Sequence, residues 1–278
     1  MGPTRRRFSI LWFSLQSAAQ YALLLVAFRF LLPGVWKRQI EPGWVSFLLV
    51  VLGTHLALCF FEWGFHRYVL HSITSRWLGY FAKGHRSHHS LTPIRLQPVS
   101  EGSDRYVLNR YPITEAEQYA DSAFPVYATL AFWLLFSPLL IVVQLILPHL
   151  PILLGGYTAI TWSMSLYEIL HAIEHQPYEW WKRATESRRL GGMWRKLYGF
   201  HHMHHANILC NEAISGFFGL PIADWVLGTY HQPRELLLEG RVATAKDFSV
   251  PSPPRLVRWL DGWATRRESK IRHRHPHE

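Results

Sequence analysis

Residues 8–32 form a run of 25 residues with a single charge, Arg29. That arginine sits near the end of the run, where a long side chain can reach back to a polar boundary. About 20 apolar residues are enough for a helix to cross the hydrocarbon core of a bilayer, so the run reads as a spanning helix ended by Pro33-Gly34. It is too long for the core of a signal peptide and has no clear small-residue cleavage site. Residues 43–61 and 122–147 are uncharged runs of 19 and 26 residues, and both meet the spanning length. Residues 152–167 are also uncharged and follow "LPHLP" so closely that the third and fourth segments must form a tight hairpin, the fourth helix continuing past the bilayer. Four spans put both termini on one side.

The basic residues can be counted against that topology. Arg5, Arg6 and Arg7 precede the first run, seven Lys and Arg fall within 62–121, and sixteen follow His171. On the other side the first loop holds Lys37 and Arg38, and the second holds none. Positive charge collects on cytoplasmic loops, so the termini and both long polar regions are expected in the cytoplasm, at a bacterial inner membrane or the endoplasmic reticulum. The net charge of +10 therefore has a juxtamembrane explanation. No recognition motif gathers the cations, so no nucleic-acid partner is expected. The last residues, "RRESKIRHRHPHE", read as a solvated, disordered basic end near anionic lipid, with no chemistry assigned to His273, His275 or His277.

The expected architecture is thus an all-α integral membrane protein with about four transmembrane helices and a cytoplasmic helical cap. Residues 1–61 hold the first two spans. Residues 62–230 form a central domain that includes spans at about 122–147 and 152–170, and 231–278 form a basic tail. Cys59 and Cys210 are the only cysteines, so neither a disulfide framework nor a cysteine zinc site is implied.

The 17 histidines are the anomaly of composition. Eleven fall into four clusters just outside the expected spans, all on the same side: His66 and His71; His85, His88 and His89; His171 and His175; and His201, His202, His204 and His205. His171 and His175 lie about 40° apart on a helix and can reach one ion. His66 and His71 are about 140° apart on a straight helix, so either the helix bends or each serves a different ion. In "HHMHH" two trios fit an arc of about 100°: His201, His204 and His205, or His201, His202 and His205. The HxxHH spacing of "HRSHH" recurs as His201, His204 and His205, leaving His202 as the extra residue. Ten imidazoles exceed the four positions of one zinc ion and suit two borderline metals, with iron or zinc compatible.

In this order and spacing, HxxxxH, HxxHH, HxxxH and HxxHH, the chain resembles the fatty acid hydroxylase (sterol desaturase-like) superfamily of integral-membrane di-iron oxygenases. "EWGFHRYVLH", "YEILHAIEH" and "FGLPIADWVLGTY" look like its flanking sequence, over about 62–230. The resemblance implies that His66, His71, His85, His88, His89, His171, His175, His201, His204 and His205 ligate two iron ions, with zinc in isolated protein. It implies dioxygen as co-substrate and hydroxylation or desaturation of a lipid C–H bond, the lipid being a fatty acyl chain, sterol or related molecule. No heme, flavin or dinucleotide module is evident, so electrons are expected from an external cytochrome b5-like protein, ferredoxin or reductase. "HRYVLH" and "HRSHH" also resemble bacterial-type carotenoid hydroxylases. A histidine-rich metal transporter or scaffold is the non-enzymatic alternative; a transport path needs ionisable residues within the spans, where only His55 and Arg29 clearly qualify.

Other residues have two readings each. Glu62 and Glu168 either hold an imidazole in its tautomer or are solvated boundary residues. Trp44, Trp63, Trp77, Trp180 and Trp181 are expected as interfacial anchors. Asn207, Asn211 and Asp224 either order ligands or cap turns.

Overall fold

The computed structural model describes residues 9–75, 78–98, 105–119 and 121–274. Trp77, Arg5, Arg6, Arg7, His275 and His277 lie outside the described residues. The chain divides into two compact units, one of Phe8–Cys59 with Ala123–Ile169 and one of Phe60–Ser122 with Leu170–Glu278.

The first unit contains α1 (Ile10–Leu31), α2 (Pro33–Ile40), α5 (Ala128–Ile146) and the larger part of α3 (Gly43–Phe65) and α6 (Ile152–Glu174). Ser9 caps α1 by accepting the Trp12 N–H at 3.3 Å. Pro33 opens α2, where its missing N–H costs nothing. Among the described residues, three helical stretches are long and apolar enough to cross a membrane: Ile10–Leu31, Gly43–Leu70 and Ala128–Ile146. Leu23, Leu49, Leu134 and Leu145 are among the exposed residues on them, as helices facing lipid tails require.

α6 has 23 residues, and at about 1.5 Å per residue it is long enough to span. It is not among those three stretches because Gly155, Gly156, Thr158, Thr161, Ser163 and Ser165 dilute its apolar content. Those small and hydroxylated residues are used for packing. A Cβ at Gly155 would meet Val50 at 2.6 Å, and one at Gly156 would meet Leu140 at 2.5 Å. Without a hydrophobic drive between helices in lipid, such close approach and polar pairing hold them together. Gln39 donates to Gln144 at 2.8 Å and accepts the Leu154 N–H, and Trp133 donates to Thr161 at 3.1 Å. Glu168 is buried and accepts the Phe124 N–H at 2.9 Å, so it fastens the chain leading to α5 and is neither solvated nor bonded to an imidazole.

The second unit contains α4 (Gly79–Leu91), α7 (Tyr178–Thr185), α8 (Gly191–Ala206), α9 (Ile222–Leu227) and α10 (Arg255–Arg274). It also has a strand pair, β1 (Ile94–Pro98) antiparallel to β2 (Arg105–Asn109), with Ile94 opposite Asn109. The described residues are otherwise mostly helical, in keeping with the expected all-α class, and this hairpin is a local addition to it. Arg110 donates back to Pro93 O, closing its open end. One buried cluster joins Ile94, Val107, Tyr111, Trp181, Tyr198, Met203, Cys210 and Leu237; another joins Trp63, Ala213, Ala223 and Val257. Trp63 and Trp181 are therefore core residues, bonded to Thr229 Oγ1 and Ile173 O, whereas Trp44 and Trp180 are exposed as expected. The tail is also corrected, because α10 carries it as a helix to Arg274.

Candidate metal centre

The centre begins where α3 changes pitch. His66–Leu70 is a π-turn, and the His71 N–H bonds to His66 O at 3.1 Å. An i→i+5 turn stacks residues five apart, so His66 and His71 share a face with ring centroids 4.9 Å apart. A straight α-helix would have separated them. The helix does depart from straight geometry, and both histidines then point into one group.

The ten sequence-predicted residues come together within the second unit as two groups of five. His66, His71, His85, His89 and His204 form one; His88, His171, His175, His201 and His205 form the other. Helix periodicity explains the sorting. His85 and His89 are i,i+4 neighbours on α4 and enter the first group, while His88 is turned toward the second. On α8 the pattern is exchanged: the i,i+4 pair His201 and His205 enters the second group and His204 the first. The two groups abut, since His89 stacks on His205 with centroids 4.1 Å apart.

Ring orientation is set from behind. The Nδ1 atoms of His66, His175, His204 and His205 face the carbonyls of Glu212, Tyr111, Cys210 and Thr92 at 2.5, 2.6, 2.7 and 3.0 Å. A carbonyl can only accept, so each Nδ1 carries the proton and each Nε2 carries a lone pair. These Nε2 atoms converge: His66 on His85 at 2.8 Å, His71 on His204 at 3.0 Å, and His175 on both His88 and His201 at 3.1 Å. Two nitrogens about 2.0–2.1 Å from one ion and at right angles lie about 3 Å apart. Two lone pairs facing each other at that separation repel, so each contact is held either by an Nε2–H of the facing ring or by a cation shared between the nitrogens. His88 Nδ1 and His201 Nδ1 are buried without a partner among the described residues, so those rings gain little from the surrounding protein. The donor set therefore fits two borderline divalent metals.

The loop after α8 supplies two of these carbonyls, and polar side chains hold it. Asp224 accepts the Glu212 and Ala213 N–H groups at 2.9 Å each, and the Thr229 hydroxyl at 2.6 Å. Asn211, in the left-handed region at φ 58°, donates to Phe200 O and His231 O. Asn207 donates to Phe248 O and turns the chain by accepting the Leu209 N–H. Glu62 accepts both the N–H and the hydroxyl of Ser215, so it anchors this loop and touches no imidazole. Glu212 also receives Arg67 at 2.7 Å, and Arg67 forks onto Asp261 of α10 at 2.8 and 2.9 Å. The second Glu212 oxygen stands 3.9 Å from His66 Nδ1 and 4.0 Å from His204 Nδ1.

Of these supporting groups, Asn207, Asn211, Asp224 and Glu62 were singled out from sequence, whereas the carbonyls, Glu212, Arg67 and Asp261 were missed. A backbone carbonyl has no residue signature, and Arg67 signals itself only by following His66. His202 lies outside both groups; its Nε2 accepts the Leu237 N–H at 3.1 Å.

Burial, with neighbouring imidazoles, holds His85, His88, His89, His175, His201, His204 and His205 well below the usual imidazole range. They are neutral at pH 7, the state a metal requires. Access differs between the groups: all five histidines of the second are buried, whereas His71, His85 and His89 of the first are half-buried. Comparison with protein-family profiles, characterised proteins and solved structures finds no match.

Proposed function

We propose that the chain is a membrane-bound di-iron oxygenase that hydroxylates or desaturates a lipid C–H bond, as the superfamily its motifs resemble does. The observation that carries this is the sorting of ten histidines from four ordered motifs into two abutting groups of five. Five donors per group exceed the four that a structural zinc takes, which weighs against a scaffold. When bound, two iron ions would supply dioxygen activation and oxidation of an unactivated C–H bond, with electrons from a separate donor.

The chain's own residues do the rest. Glu212, Tyr111, Cys210 and Thr92 carbonyls fix which nitrogen of four rings faces inward, so no reorientation is needed on loading. The buried second group keeps water from its ligands. The half-buried side at His71 and His89 is the approach for lipid and dioxygen. In this reading α6 is a fourth span, and both termini face the cytoplasm, where the electron donor resides.

Comparative lipid mass spectrometry of cells expressing wild type or His204→Ala tests the activity. A wild-type-only species heavier by one oxygen identifies a hydroxylase, and one lighter by two hydrogens a desaturase. Identical lipid profiles from iron-loaded wild type and the variant would count against both.

A further inference from the structure

The residues of α10 divide between two faces. Val257, Asp261, Ala264, Glu268 and Ile271 recur at i, i+4, i+7, i+11 and i+14 and form the inward face, with Val257 and Ala264 buried. Both acids of the helix are engaged: Asp261 with Arg67 and Tyr68, Glu268 with Arg272. The outward face has no acid. It carries Leu256, Trp259 and Trp263, 59, 63 and 45% exposed, within an arc of about 60°. Lys270 falls within that arc, Arg255, Arg266 and Arg267 flank it, and all four are exposed, Arg267 also donating to Thr74 O at 3.4 Å, with Arg258 further round. α9, which shares the buried cluster of Ala223 and Val257, also turns Trp225 and Val226 outward.

We infer that the outward face of α10 seats on an anionic lipid surface, with Trp259 and Trp263 at headgroup depth and the flanking cations on phosphates. Two indoles and a leucine bordered by Arg and Lys match the chemistry of a bilayer interface, apolar below and negatively charged at the surface. A soluble helix that exposes two tryptophans in one stripe gains nothing from water. A positive field with its acids turned inward selects an anionic partner. This inference does not depend on the oxygenase reading, since none of these outward residues lies in the metal centre.

The test uses the full chain in nanodiscs of phosphatidylcholine alone and of phosphatidylcholine mixed with phosphatidylglycerol. A spin label is placed at Trp259→Cys or at Thr265→Cys, about 120° round the helix; the native Cys59 and Cys210 are buried and escape labelling. In anionic discs the label at 259 should be several-fold more accessible to oxygen than to a water-soluble nickel chelate, and the label at 265 the reverse. Neutral discs, or Arg266→Glu with Lys270→Glu, should move the 259 label toward water while metal content and helix content stay constant. A water-exposed 259 label in anionic discs overturns the inference. Dipolar broadening between labels also overturns it, because the face would then belong to a second copy of the chain. Equal burial in neutral discs, or burial that survives charge reversal, overturns its electrostatic half.

Discussion

At the scale of residues, the difference between His202 and its neighbours follows from what each ring nitrogen touches. His202 is fully buried, is pushed down to about 3 by burial, and accepts one backbone N–H. His202→Ala should therefore leave both ions in place while costing about 1–3 kcal/mol through the unpaired Leu237 N–H. His204→Ala should deplete the first group and His201→Ala the second, each leaving about one ion per chain. Elemental analysis with equilibrium unfolding reads both effects; equal metal loss in all three variants would contradict the sorting. The repeated HxxHH spacing set His202 apart, and the structure places it outside both groups. The spacing could not show that each trio is divided between two groups, because that depends on which helices pack on either side of α4 and α8.

At the scale of elements, the four uncharged runs were legible as helices, and three of the described helical stretches are long and apolar enough to cross a bilayer, which leaves such segments little choice of structure. Their ends differ from the uncharged runs: α5 begins at Ala128 rather than 122, since the chain around Pro125 makes a turn first, α3 runs on to Phe65, and α6 continues to Glu174, as its expected extension past the bilayer implied. The π-turn was not legible: a five-residue spacing shows that a straight helix fails, yet does not say how the backbone yields. The helical tail was hidden for another reason. Its run of cations looked solvated, and the inward pairing of Asp261 with Arg67, nearly two hundred residues away in sequence, leaves no local signature. Inserting one alanine between Val69 and Leu70 should rotate His71 out of the first group. Loss of one ion with the second group still loaded is the expected outcome, and retention of two ions would show that the π-turn is dispensable.

At the scale of the whole chain, ten neutral imidazoles in the folded protein make stability depend on pH. An imidazole in the unfolded chain titrates near 6.5, while burial depresses the folded values of His88, His175, His201 and His205 well below that. Below about pH 6.5 the unfolded chain thus binds more protons, and stability must fall as pH falls. Metal-free protein should show a thermal midpoint that is level above about pH 7 and drops steadily below it; a level profile down to about pH 5 would contradict neutral buried histidines. Unequal access predicts a second behaviour. A hydrophilic chelator should strip metal in two phases, the faster from the group with half-buried His71 and His89 and the slower from the wholly buried group. His204→Ala should abolish the fast phase alone.

The division of the histidines is tested most directly by a crystal of iron-loaded protein measured on both sides of the iron absorption edge. Two anomalous peaks are expected, one among His66, His71, His85, His89 and His204 and one among His88, His171, His175, His201 and His205. A single peak, or two peaks held by any other division of these residues, would contradict the account.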